Sequence, residues 1–400
     1  MSLNIRFRLS LMMFLNFFVW GIWFVTMGTY LSTIIKTGDV QIGLSYGTQA
    51  LGAIIAPFII GLIADRYFAA QKILGFLHLS GSVVMYFLAQ SNSFDAFYPL
   101  LLLYMILYMP SLALVNAISF KQMEQPEKEF SLIRMWGTIG WIAAGLLIAW
   151  LALEQKQLLQ QTFMMAAGIS LVLGVYSFFL PNTPPPKAKQ KTSLSQMLGL
   201  DALAMLKEKN YLIFFICSIL ICIPLAFYYQ ETNKFLNEVG VEKAAGKMTM
   251  GQMSETIFLF LMPFFFARLG VKKMLLIGMA AWILRYLCFG FGDATSGISL
   301  LYAGIIQHGI CYDFFFVTGQ IYTDERAGAE IRSSAQGLIT LATYGVGMLI
   351  GFWFAGYIVN EYKTTNGHDW STIWMIPAGI AAAITLLFIV AFKAPKKASA

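Results

Sequence analysis

The chain has 400 residues, of which 58% are hydrophobic and only 12% charged, about half the charged share of a typical soluble domain. A mean hydropathy of +0.69 excludes a string of soluble domains, and continuous apolar runs exclude an outer-membrane barrel, whose strands alternate apolar with polar. The net charge of +7 does not point to nucleic acid, because the basic residues sit in short connectors between apolar runs, where they set membrane topology.

At roughly 20 apolar residues per spanning helix, the runs predict an all-α polytopic membrane protein with twelve spans. They lie near 9–34, 41–64, 73–92, 97–119, 133–153 and 160–180, then near 211–233, 249–267, 273–291, 297–322, 334–359 and 371–392. The opening MSLNIRFRLSLMMFLNFFVWGIWF carries too long an apolar run for a signal peptide and lacks a small-residue cleavage site, so it reads as the first span. That span contributes Asn16, Trp20, Trp23, Thr26 and Tyr30. In the fifth, RMWGTIGW places Arg134, Thr138 and Trp141 on one stripe, with Gly137 and Gly140 allowing a neighbouring helix to approach. Trp141 offers a flat face for a heterocycle or sugar, or packs against lipid and core. Arg134 opens its span, either turned into the bundle or snorkelling to the interface.

Residues 181–210 interrupt the pattern with a proline run and five lysines, and read as a solvated linker in which Leu198–Leu206 forms a short interfacial helix. The expected organisation is therefore a six-helix bundle over 1–180, the linker, and a second six-helix bundle over 211–400. The seventh span brings Tyr228, Tyr229, Gln230 and Asn233, and the eighth carries Gln252 and Glu255 at a spacing that shares one helix face. Arg285 lies within the ninth. The tenth, GIIQHGICYDFFFVTGQ, carries Asp313 among aromatic residues with His308 just over a turn earlier.

An even number of spans puts both termini on one side. Assigning that side and its loops collects twenty of the 27 basic residues, so the termini and linker are expected in the cytoplasm. Ile133-Arg134 and Ile331-Arg332 each open the fifth helix of their half at an offset close to half the chain, the mark of a tandem repeat. Two such bundles enclosing a midplane cavity are the architecture of a major facilitator transporter. Cys217, Cys222, Cys288 and Cys311 all fall inside apolar runs without paired spacing, as small core residues. Eighteen of the 20 acidic residues are placed in loops or near span ends. Glu255 and Asp313 are not. A charge at the bilayer centre costs about 2.5–3.5 kcal/mol, so these two are candidates for ligand and proton chemistry, or for a buried ion pair with Arg285 or Arg134. No Walker loop, metalloprotease motif, serine elbow or Cys/His cluster is present, so neither an enzyme nor a cofactor or metal is expected.

GLIADR (Gly61 to Arg66) looks like the major facilitator loop signature, with Tyr67 and Phe68 where a glycine usually follows. NFFVWGIWFVTMGTYL, YMPSLALVNAISF, IRMWGTIGW, MLGLDALAML, QMSETIF, AWILRYLCFGFGD and IRSSAQG resemble segments of the bacterial nucleoside permeases, the nucleoside:proton symporter branch of the superfamily. The resemblance runs from about residue 8 to residue 392. It implies a proton-coupled importer of nucleosides in the bacterial inner membrane. It implies substrate contacts from Arg134, Thr138, Gln252, Glu255 and Asp313, a conformational loop at Gly61, Asp65 and Arg66, and proton coupling through Asp313 and Glu255. Trp141 stands for a family phenylalanine, and His308 and Tyr312 stand for a tyrosine and a phenylalanine. Ala226 and Tyr229 replace two amides, which leaves open another polar cargo such as a sugar, nucleobase or modified nucleoside. The expected partners are that small-molecule substrate, the proton and the lipid bilayer, with no nucleic acid and the chain acting as a monomer.

Overall fold

The computed structural model describes residues 2–59, 68–184 and 200–393. In lipid a backbone has no water to bond, so apolar runs of this length satisfy themselves as helix, and helix dominates. The first span runs Leu3–Gly21, resumes after a turn as Met27–Tyr30 and closes in a π-helical turn Leu31–Ile35. Asp39–Ile59, Ala70–Ala89, Phe94–Lys121, Pro126–Leu151 and Gln160–Ser177 supply the second to sixth. A 3-10 helix at Leu200–Lys207 stands where the linker was expected to form an interfacial helix.

The seventh span is Lys209–Glu238. The eighth and ninth form one stretch, Ala244–Phe291, broken at Gly270 (φ 67°, ψ 174°). The tenth comprises Ile298–Ile306, His308–Tyr312 and a π-helical turn Asp313–Val317. Thr318–Thr340 continues it, broken at Gly328 (φ 68°, ψ 174°). The eleventh then passes through a second π-helical turn, Leu341–Gly347, into Met348–Glu361, and Trp370–Ala391 is the twelfth. Both interspan breaks need a positive φ that only glycine adopts without strain. Among the described residues eight helical segments are long and apolar enough to cross a membrane. Large apolar side chains such as Trp150, Phe260 and Val390 stand outward, as a lipid-facing surface requires.

Contacts divide the chain into two compact units, Met1–Leu194 with Glu242–Thr249, and Ser195–Val241 with Met250–Ala400. In the first unit the third span packs on the fourth and sixth, and the first on the fifth. Leu9, Leu74, Leu114, Ile133 and Leu173 form part of its core. The Glu242–Thr249 segment belongs here because both Glu154 oxygens accept the Ala245 N–H at 3.2 Å. In the second unit the seventh span packs against the eleventh and twelfth, and Met262, Met274 and Phe314 form an apolar cluster. Outside the spans, Asp293 accepts from the hydroxyl and, at 2.6 Å, the N–H of Thr295, which holds its carboxyl down at about 2.

One expectation needs correction. Glu231, Asp39 and Glu154, read as water-facing acids near span ends, are all buried. Glu231 is covered because the seventh helix continues to Glu238, past the end of its apolar run, so its tract packs inside the unit.

Candidate functional site

The second unit gathers most of the residues singled out by sequence. Gly309 brings the tenth span against the eighth: a Cβ there would meet the Ser254 carbonyl carbon at 2.6 Å and the Glu255 nitrogen at 2.7 Å. Gly251 does the same one turn away, where a Cβ would lie 3.1 Å from the His308 Cβ and from the Tyr228 hydroxyl. These glycines set Glu255 opposite His308, whose Nε2 lies 3.7 Å from Glu255 Oε2. That separation is electrostatic contact, longer than a hydrogen bond. The imidazole is buried, stacked on Tyr228 (centroids 4.8 Å, 19° between planes), edge-on to Tyr229 at 6.0 Å and next to Tyr312 at 5.7 Å. The hydroxyls of Tyr312 and Tyr344 touch.

Asp313 follows directly. It is 1% exposed, and its Oδ2 has no hydrogen-bond partner among the described residues. It also opens a π-helical turn, a local widening of the helix that recurs at functional sites. The π-helical turn of the eleventh span carries Tyr344, which reaches both Tyr312 and Phe316. A narrow cleft borders these two turns, lined by Ser218, Phe315, Phe316, Thr340, Thr343 and Tyr344. Gln252 is buried one turn before Glu255, and its carbonyl accepts from Thr256 Oγ1 at 3.0 Å.

The first unit holds the second set. Arg134, Thr138 and Trp141 lie along one half-buried face of the fifth span. The Arg134 guanidinium sits over the Phe17 ring at 4.1 Å, and its Nη1 has no hydrogen-bond partner among the described residues. As the spacing implied, Gly140 abuts the first span, with a Cβ position 2.3 Å from the Phe14 carbonyl oxygen. Trp141 packs at right angles to Trp20, centroids 5.3 Å apart. Gly61, Asp65 and Arg66 lie outside the described residues.

Sequence reading passed over a buried network beneath this face. His78 bonds Asn16 Oδ1 at 2.9 Å and Ser170 Oγ at 3.0 Å, Ser111 donates to Asn16 Oδ1, and Tyr108 donates to the Asn16 carbonyl at 2.8 Å. Its signal was the stripe Gln71, Gly75, His78, Ser82 along one face of an apolar helix. Tyr344 and the π-helical turns were also missed; only the glycines of LATYGVG marked the second of those turns.

Two helical units carrying buried ionisable groups inside membrane-length helices define a polytopic secondary transporter of the major facilitator fold. Comparison with known proteins fixes the family. The chain belongs to the nucleoside H+ symporter family, whose model matches residues 3–397. It is 43% identical over 96% of its length to YegT of Escherichia coli (strain K12), which carries a provisional nucleoside-transporter name, and covers 93% of that protein. It is 32% identical to the nucleoside permease NupG of the same strain, with 98% of this chain and 96% of NupG covered. The crystal structure of the nucleoside transporter NupG superposes with a TM-score of 0.90 over 98% of this chain and all of that one. The POT family transporter PepTSo shares the fold alone, at 14% identity and a TM-score of 0.75. The relatives are transporters, and this is a transport protein, not an enzyme.

Proposed function

We propose that the chain imports nucleosides together with protons across the bacterial cytoplasmic membrane, as a monomer with both termini and the 181–210 linker inside. The distribution of basic residues supports that orientation, and family membership supports the cargo and the coupling. The two bundles over 1–180 and 211–400 would alternate access, with Gly61, Asp65 and Arg66 in a conformational loop.

The observation that carries the reading is Asp313, a buried carboxyl with one oxygen unpartnered among the described residues, at the mouth of a π-helical turn. Protonation removes the cost of a buried charge. Loading a proton outside therefore favours substrate binding and reorientation, and losing it inside favours release. Gln252, Glu255 and Arg134 hydrogen-bond ribose and base, with Thr138, Tyr229 and His308 beside them. Trp141 and Tyr312 stack on the heterocycle.

A second reading concerns the cargo. Ala226 is buried against the eleventh span, where a Cβ on Gly351 would meet its own Cβ at 2.7 Å. Ala226 presents only a methyl group there in place of the family's amide, which favours a modified nucleoside, nucleobase or sugar over a cargo that needs that contact. Labelled uridine uptake into energised vesicles, with and without a proton gradient and in competition with adenosine, free bases and sugars, tests both. Gradient-dependent uridine uptake blocked by adenosine supports the first reading. Uptake blocked only by bases or sugars supports the second.

A further inference from the structure

Arg285, in the ninth span, is completely buried. Its Nε donates to the Gly304 carbonyl at 3.0 Å, but Nη1 and Nη2 have no hydrogen-bond partner among the described residues. No carboxylate of the described residues lies within ion-pair distance of it. The guanidinium instead covers the face of Tyr228, 3.9 Å from the ring centroid. Tyr228 also stacks on His308, and His308 meets Glu255. Cation, phenol ring, imidazole and carboxylate thus form one continuous stack contributed by the ninth, seventh, tenth and eighth spans. Tyr228 lies within electrostatic reach of both Arg285 and Glu255.

A buried arginine is always charged, and an uncompensated charge in a bilayer is strongly disfavoured. A guanidinium tolerates an aromatic face better than an ammonium does, because it is planar and weakly hydrated. The face neutralises nothing, however, so a compensating anion is still required. Glu255, at the far end of the stack, is placed to supply it.

We infer that Arg285 is the fixed counter-charge of the Glu255–His308 site, and that with Tyr228 it is a positioning residue that holds the His308 ring against Glu255. This rests on the reading of Glu255 as a substrate ligand. Arg285 touches no cargo; it acts through the ring of Tyr228. The geometry explains why Tyr228 and His308 lie nearly parallel and why Gly251, which leaves room for both, faces them.

The test uses the full chain, purified for thermal unfolding and reconstituted for uridine uptake, as R285Q, R285K, E255Q, the R285Q/E255Q double variant and Y228L. R285Q should lower the melting temperature and raise the uptake KM at least tenfold, with a smaller change in maximal rate per folded molecule. R285K, which keeps a cation over Tyr228, should recover most of that KM. On the E255Q background, R285Q should cost little further stability, because both charges leave together. Y228L, which keeps the arginine and removes the ring, should raise KM as R285Q does. Additive losses of stability in the double variant, or a parental KM in R285Q or Y228L, would overturn the inference. If R285Q fails to fold, Y228L and R285K decide it. Should the unsubstituted protein take up no uridine, the nucleoside reading fails, while the stability cycle still decides the role of Arg285.

Discussion

Replacing Asp313 with asparagine keeps the shape of the side chain and removes its titration. Asp313 is 1% exposed with Oδ2 unpartnered among the described residues, so the amide fills the same space without a new unmatched charge. On the lenient insertion scale the buried charge costs about 2.5–3.5 kcal/mol. At roughly 1.4 kcal/mol per tenfold, an unprotonated, empty carrier is held back from reorienting by about a hundredfold. Asparagine removes that restraint and with it the coupling. A potential of 100 mV supplies about 2.3 kcal/mol per proton, enough for roughly 50-fold accumulation at one proton per substrate. Vesicles holding the parent protein should therefore concentrate labelled uridine about 50-fold under such a potential. Asp313→Asn vesicles should stop at equal concentrations while still exchanging internal for external uridine. Accumulation by Asp313→Asn that still depends on the proton gradient would refute the assignment of Asp313 as the coupling group.

Gly309→Ala should lower thermal stability by about 1–3 kcal/mol, because its methyl group would strike the Ser254 backbone and force the eighth and tenth spans apart; uptake should fall with it. Gly328→Ala meets no atom within 4 Å, so its cost is the positive-φ, extended-ψ backbone alone, about 1–3 kcal/mol in thermal unfolding, with an unchanged uptake KM. Trp141→Ala should raise the uptake KM about two- to tenfold through lost stacking, and Trp141→Phe should recover most of it. Equal KM values in parent and Trp141→Ala would assign Trp141 to packing.

The fold was legible because lipid leaves an apolar run few alternatives to helix. The runs located the spans, and the glycine spacing in RMWGTIGW marked a close helix approach, which the structure shows to be made by the first span. Glu255 and Asp313 stood out for the same reason, as charges where lipid penalises them. Other features had no local signature. Helices outrun their apolar runs, so Glu231 looked like an end residue when it is covered. The π-helical turns at Asp313 and Leu341 are one-residue changes of register that hydropathy does not record. The stacking of Arg285 on Tyr228 joins residues 57 positions apart through tertiary packing alone. Gly270 and Gly328 fall in the gaps between expected spans, but their positive φ angles belong to the turn geometry and not to composition.

The most direct test of proton-coupled nucleoside import is proton movement itself. Proteoliposomes loaded with a pH-sensitive dye and given uridine outside, without any imposed gradient, should acidify internally as substrate enters. The Asp313→Asn protein should show uridine entry and no acidification. Uridine entry into parent proteoliposomes without a pH change would contradict the account.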